Sequence, residues 1–105
     1  MKEKRVRKEI YTAEEIFRSN DCEAFAKYNL KKFAHGRIVR ITPIRAPFLG
    51  DIHLPDDRGT INGWAYHVTF VKDGIVYDRL TGPLGMPVSE YKKMFAFSEA
   101  LDFGF

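Results

Sequence analysis

Cysteine is almost missing: Cys22 is the only one in a chain of 105 residues. One thiol excludes an internal disulfide and any CxxC-type metal site, and it suits a reducing compartment. No apolar run approaches the roughly 18 residues that a membrane span needs. The amino end, MKEKRVRKEI, is charged and has no apolar h-region of the kind a secretory signal carries. The expectation is a cytoplasmic protein without a membrane partner. Repeats and low-complexity tracts are missing too. No ligand spacing supports a metal, and no cofactor is expected. His53, near Asp51, Asp56 and Asp57, comes closest to a metal set, but the spacing does not favour one.

What is present is a foldable composition. Hydrophobic residues make up 45% of the chain and aromatic residues 14%, enough for one packed domain over residues 1–105. The formal charge is +3, and the excess falls in two clusters. Lys2, Lys4, Arg5, Arg7 and Lys8 form one; Lys27, Lys31, Lys32, Arg37 and Arg40 form the other. A basic patch of this size can attract RNA, DNA or an acidic partner. The same charges also serve as a solvated helix face and a terminal arm.

The periodicity predicts an α+β fold, with amino-terminal helices packed on a small antiparallel sheet. Residues 1–11 read as a weakly ordered arm. Thr12-Ala13-Glu14-Glu15 has capping-box spacing and opens a short helix to about Phe17 or Arg18. Asn20 is the expected N-cap of a second helix, with Glu23 reaching back to its amide. That helix runs to about Ala34, closed by Gly36, with His35 in its last turn. Its inward stripe is Cys22, Phe25, Ala26, Leu30 and Phe33. Arg37 to Thr42 reads as a strand, and Pro43 to about Asn62 as a long loop. Trp64 to Val71 and Ile75 to Arg79 form a hairpin around an Asp73-Gly74 turn. Pro87 opens a helix over about Val88 to Phe95, and the apolar tail offers a last strand.

The hairpin register carries the functional argument. A two-residue turn at Asp73-Gly74 sets Phe70 opposite Tyr77 and Thr69 opposite Asp78. One face then holds Trp64, Tyr66, Val68, Phe70, Ile75 and Tyr77, an apolar set for a core. The other holds His67, Thr69, Val71, Val76 and Asp78. His67 and Asp78 become diagonal neighbours on one face, with Cβ atoms under roughly 7–8 Å apart, and a one-residue slip would separate them. Cys22 stands in the first turn of its helix, where free amides and the helix dipole favour a thiolate. If that helix packs on the His67 face, Cys22 is a nucleophile, His67 a proton shuttle and Asp78 its orienter. The Cys22 amide offers one oxyanion donor. Taken singly, each residue has a plain structural reading: Cys22 as core filler, His67 as a satisfied buried histidine, Asp78 as a turn residue or a partner of Arg79 or Lys72.

The order of thiol at a helix start, histidine on a strand and aspartate on the next resembles papain-like cysteine enzymes. More narrowly, the chain resembles the papain-fold toxin family, modules at the carboxyl ends of bacterial polymorphic toxins. The resemblance rests on Asp21-Cys22-Glu23-Ala24-Phe25-Ala26, on Gly36 to Ile41, and on Asn62-Gly63 ahead of His67. It continues in Gly74-Ile75-Val76-Tyr77-Asp78 and in Gly82-Pro83-Leu84-Gly85-Met86-Pro87-Val88-Ser89-Glu90-Tyr91. It implies a papain-like fold and a thiol hydrolase or acyl-transfer activity, such as peptide cleavage or deamidation, on a protein of a target cell. It also implies an immunity protein that blocks the site, and delivery into a target-cell cytoplasm. The chain would be a stand-alone relative or an excised module. Ile16 and Phe17 stand where a papain-style glutamine would, so Asn20 or a loop residue must complete the oxyanion site, with Asp21 in support. Gly63, Trp64 and Tyr66 are the expected substrate contacts.

Two other functions compete. One is a nucleic-acid-directed toxin module, ribonuclease-like, using His67 with Arg37 and Arg40. The other is a non-catalytic interaction domain in which Cys22 is core and the long loop binds a partner.

Overall fold

A computed structural model describes residues 10–19, 21–33 and 35–105. The first basic cluster, most of the expected arm and Asn20 lie outside the described residues, as does Ala34 at the expected end of the second helix; the N-cap of that helix is Asp21, without a side-chain cap hydrogen bond, rather than Asn20.

Helix α1 (Ala13–Ser19) begins where the capping box places it. Thr12 Oγ1 accepts the Glu15 amide at 3.2 Å, and Glu15 Oε1 accepts the Thr12 amide at 2.9 Å, so two orphan donors are met reciprocally. Helix α2 (Cys22–Lys32) is shorter than its apolar pattern suggests. It stops because Phe33 turns to extended backbone and stacks on Phe70, with ring centroids 5.6 Å apart. His35 therefore lies beyond the helix, exposed, with Nε2 3.6 Å from Asp73 Oδ2. Gly36 is not the helix stop either. Its φ is +137°, and a Cβ there would run into the Phe70 ring; it is the point where backbone passes over a buried aromatic.

The sheet is antiparallel and curled. Strands β1 (Arg37–Pro43), β4 (His67–Lys72), β5 (Ile75–Tyr77), β6 (Met86–Pro87) and β7 (Leu101–Asp102) run in the order β6-β5-β4-β1-β7. Pro87 sits on the β6 edge, where a missing N–H costs no ladder bond. It is followed at once by α3 (Val88–Lys93). The tail does add a strand, with Thr42 opposite Asp102 and Pro43 opposite Leu101.

The hairpin register is the expected one: Phe70 faces Tyr77, Val71 faces Val76 and Lys72 faces Ile75. Asp73 and Gly74 both have positive φ, 53° and 77°, as a type I′ turn requires.

Three expectations change. The long segment after Pro43 is not structureless. It holds strands β2 (Ile52–His53) and β3 (Thr60–Ile61), with Ile52 opposite Ile61, and it sends Leu49, Ile52, Leu54 and Ile61 into the core. On α2, Asn29 is buried and Leu30 is 43% exposed. The Asn29 amide donates to the Tyr77 carbonyl at 3.2 Å, which satisfies it under the helix. Finally, Trp64 and Tyr66 precede β4 and escape its alternation. Trp64 gives its carbonyl to the Leu49 amide at 2.8 Å, and Tyr66 is exposed beneath the Arg40 guanidinium.

Both faces of β4 are covered, and all five residues from His67 to Val71 are buried. On one face Val68 and Phe70 pack with Ala26, Cys22, Phe33 and Tyr77. On the other, Val71 and Val76 join the larger cluster with Ile41, Leu80 and Tyr91.

Candidate active site

Helix α2 lies on the Val68 and Phe70 face, not on the His67 face that the sequence argument required. The thiol and the imidazole are still neighbours: Cys22 begins α2, His67 begins β4, and each shifts the ionisation of the other. As the first residue of an 11-residue helix, Cys22 sits at the positive end of the dipole, among amides with no intrahelical partner. Burial opposes charge on Cys22, but the neighbouring imidazole of His67, with the Val68 amide, outweighs it. The thiol is held below its ordinary value of 9.0.

His67 is 2% exposed. Its Nε2–H donates to Asp78 Oδ2 at 2.9 Å. Nδ1 is buried, has no hydrogen-bond partner among the described residues, and is the ring nitrogen left for the thiol. The Trp64 ring covers the imidazole nearly in parallel, with centroids 4.9 Å apart and planes 10° apart. Burial disfavours the imidazolium, yet the hydrogen bonds and charges of Asp78 and Cys22 raise it to about 9.

Asp78 follows β5 and starts a turn that feeds its own carboxylate. Oδ1 accepts the Leu80 amide at 2.8 Å and the Thr81 amide at 3.2 Å. Oδ2 accepts three side chains: His67, Thr69 Oγ1 at 2.7 Å and Tyr91 Oη at 2.8 Å. Burial pushes this carboxyl up, but the donors and the His67 charge win and hold it below its ordinary 3.8. Burial and the Asp78 anion keep Tyr91 well above 10, so its hydroxyl stays a donor.

Thr69 and Tyr91 were not expected to serve the site. Thr69 was legible, being next in register opposite Asp78. Tyr91 was not, because α3 reaches the carboxylate only through the tertiary fold. Asp21 is also reassigned. A carboxylate cannot donate to an oxyanion, and Asp21 Oδ2 pairs instead with Arg79 Nη2 at 3.1 Å, tying the start of α2 to the end of the hairpin.

Gly63, Trp64 and Tyr66 line an open groove of about 970 Å³ together with Cys22, Phe17 and Lys27, so the expected contacts do converge on the thiol. Arg37 and Arg40 do not join His67. Arg37 donates to the Gly104 carbonyl at 3.2 Å, and Arg40 lies over Tyr66 at 4.3 Å. His53 pairs with Thr60 Oγ1 at 3.0 Å, and no metal-sized group of His, Cys, Asp or Glu forms among the described residues. Among the same residues, no helix is long and apolar enough to cross a membrane. Compared with known proteins, the chain matches no family model, no curated protein and no solved structure.

Proposed function

We propose that this protein is a cysteine-dependent hydrolase or acyl-transfer enzyme acting on amides of a protein or peptide substrate. The observation that carries the reading is the chain of contacts from Cys22 through His67 to Asp78, with the thiol lowered and the imidazole raised. Opposite shifts in adjacent groups favour a thiolate–imidazolium pair over a neutral one.

In this reading a substrate amide lies in the groove beside Gly63, Trp64 and Tyr66. Cys22 sulfur attacks the carbonyl carbon, and the oxyanion turns to the Cys22 amide. His67 gives its proton to the departing amine, leaving an acyl-enzyme. A water, or an acceptor amine, then attacks the thioester while His67 takes a proton back, and Cys22 leaves as thiolate. Asp78 holds the ring in one orientation throughout. The order of thiol, histidine and carboxylate supports a papain-like arrangement, and with it the role of a toxin effector module met by an immunity protein.

The test is alkylation of the intact chain by iodoacetamide near neutral pH. Cys22 is expected to react faster than free cysteine, and His67→Ala to slow it at least tenfold. Equally slow labelling of both proteins would reject the reading.

A further inference from the structure

Beside the groove, and sharing Asp21, Cys22 and Trp64 with it, is a much smaller cavity. It has about 10 Å³ of room for the centre of a water-sized sphere, and its remaining wall is Ile16, Phe25, Asp78 and Arg79. Two of these residues bring buried N–H groups without an acceptor among the described residues: Trp64 Nε1 and Arg79 Nε. Trp64 is only 8% exposed.

Neither group is free to turn elsewhere. Trp64 is clamped against the His67 ring. The Arg79 fork is fixed at its other end, with Nη1 donating to Ser19 Oγ at 3.1 Å and Nη2 paired with Asp21 at 3.1 Å. Its guanidinium carbon lies 4.6 Å from the Tyr11 ring centroid and 5.4 Å from that of Phe25. A buried donor without an acceptor is costly, and two on residues that line one cavity point to an acceptor inside it.

The geometry points to a site for one water molecule in this cavity, accepting hydrogen bonds from Trp64 Nε1 and Arg79 Nε and donating one to Cys22 sulfur. A water-sized sphere fits inside the cavity, which is the room that one water needs. An anion is disfavoured by Asp21 and Asp78 in its wall. Among the acceptors, both Asp78 oxygens are already occupied and both Asp21 oxygens are engaged, by Ser19 and by Arg79. Cys22 sulfur has the most capacity left. Trp64 and Arg79 thereby become positioning residues, polarising a water that stabilises the thiolate. This holds whatever reaction Cys22 performs.

Trp64 is the only tryptophan in the chain, so ¹⁵N-labelled full-length protein gives one indole N–H signal. A water-selective rotating-frame NOE experiment should show a cross-peak from water to that proton, with the sign of dipolar transfer rather than exchange. Arg79→Lys keeps a cation for Asp21 but deletes Nε. It should weaken the cross-peak severalfold and move the thiolate titration, followed by ultraviolet absorbance, to higher pH. No dipolar cross-peak in the wild-type chain, or an unchanged one in Arg79→Lys, would overturn the site. A lost cross-peak with an unmoved thiolate titration would overturn its link to Cys22. All of these outcomes are separate from the alkylation comparison with His67→Ala.

Discussion

His67 and Asp78 meet at 2.9 Å through Nε2 and Oδ2, although the ladder that pairs Phe70 with Tyr77 puts Thr69, not His67, next in line opposite Asp78. The carboxylate accepts from both, holding the imidazole at its Nε2 edge while Trp64 covers its face.

If that pair serves an acyl-transfer reaction, activity on an amide substrate should be bell-shaped in pH. The rising limb follows ionisation of Cys22, whose pKa is lowered from 9.0. The falling limb is expected at about 9, where His67 loses the proton the leaving amine needs. A pH–rate profile on the intact chain checks both limbs; a rate still climbing above pH 10 would contradict the second.

Asp78 should make the fold acid-sensitive in a defined window. Its folded pKa is depressed below 3.8, so its stabilisation is present above that value and lost as pH falls through the folded pKa. His67 has the opposite sign. With a folded pKa of about 9 against 6.5, its stabilisation is complete below 6.5 and lost as pH rises through about 9. The melting-temperature gap between wild type and Asp78→Asn should be widest between about pH 3.8 and 6.5, and narrow both below 3.8 and as pH rises through about 9.

Tyr91→Phe removes one donor to Asp78 while keeping the ring that packs on Phe95, centroids 5.3 Å apart. A hydrogen bond to a charged group contributes about 1.5–3 kcal/mol, and a loss of that order is expected in urea unfolding. Thr69→Val should cost a similar amount. The acid limb of the stability curve should shift upward in both, since Asp78 then holds its charge less firmly.

Gly74→Ala and Gly36→Ala separate strain from collision. At Gly74 a Cβ meets nothing within 4 Å, so only the positive φ of 77° is penalised, about 1–2 kcal/mol. At Gly36 the φ is also positive and the Cβ strikes the ring of Phe70, a fully buried side chain. That variant should lose more, by about 1–3 kcal/mol of added overpacking. Equal losses in thermal or urea unfolding would contradict the contact.

Local chemistry made several elements readable. The Thr12–Glu15 box, the Asp73-Gly74 turn, the β1 strand and the position of α3 after Pro87 all follow from interactions within a few residues. So does the sharing of one face by His67, Thr69 and Asp78, because strand alternation carries a turn's register outward. The same alternation failed at Trp64 and Tyr66, where the Leu49–Trp64 hydrogen bond takes the chain out of the ladder.

What no local rule could supply was the third dimension around the carboxylate. Periodicity gave α2 an apolar stripe but not the choice of Asn29 over Leu30, which depends on a carbonyl 48 residues away. It placed Cys22 at a helix start but could not choose the face of β4 that the helix covers, which tertiary packing set as the Val68 and Phe70 face. The Tyr91 hydroxyl on Asp78, the Arg79–Asp21 tie and the cavity between them join residues far apart in sequence. Turns and alternation are settled by short-range sterics and hydrogen bonds, whereas the surroundings of a buried charge depend on which distant donors packing can bring within 3 Å, as it does here for Thr69 and Tyr91.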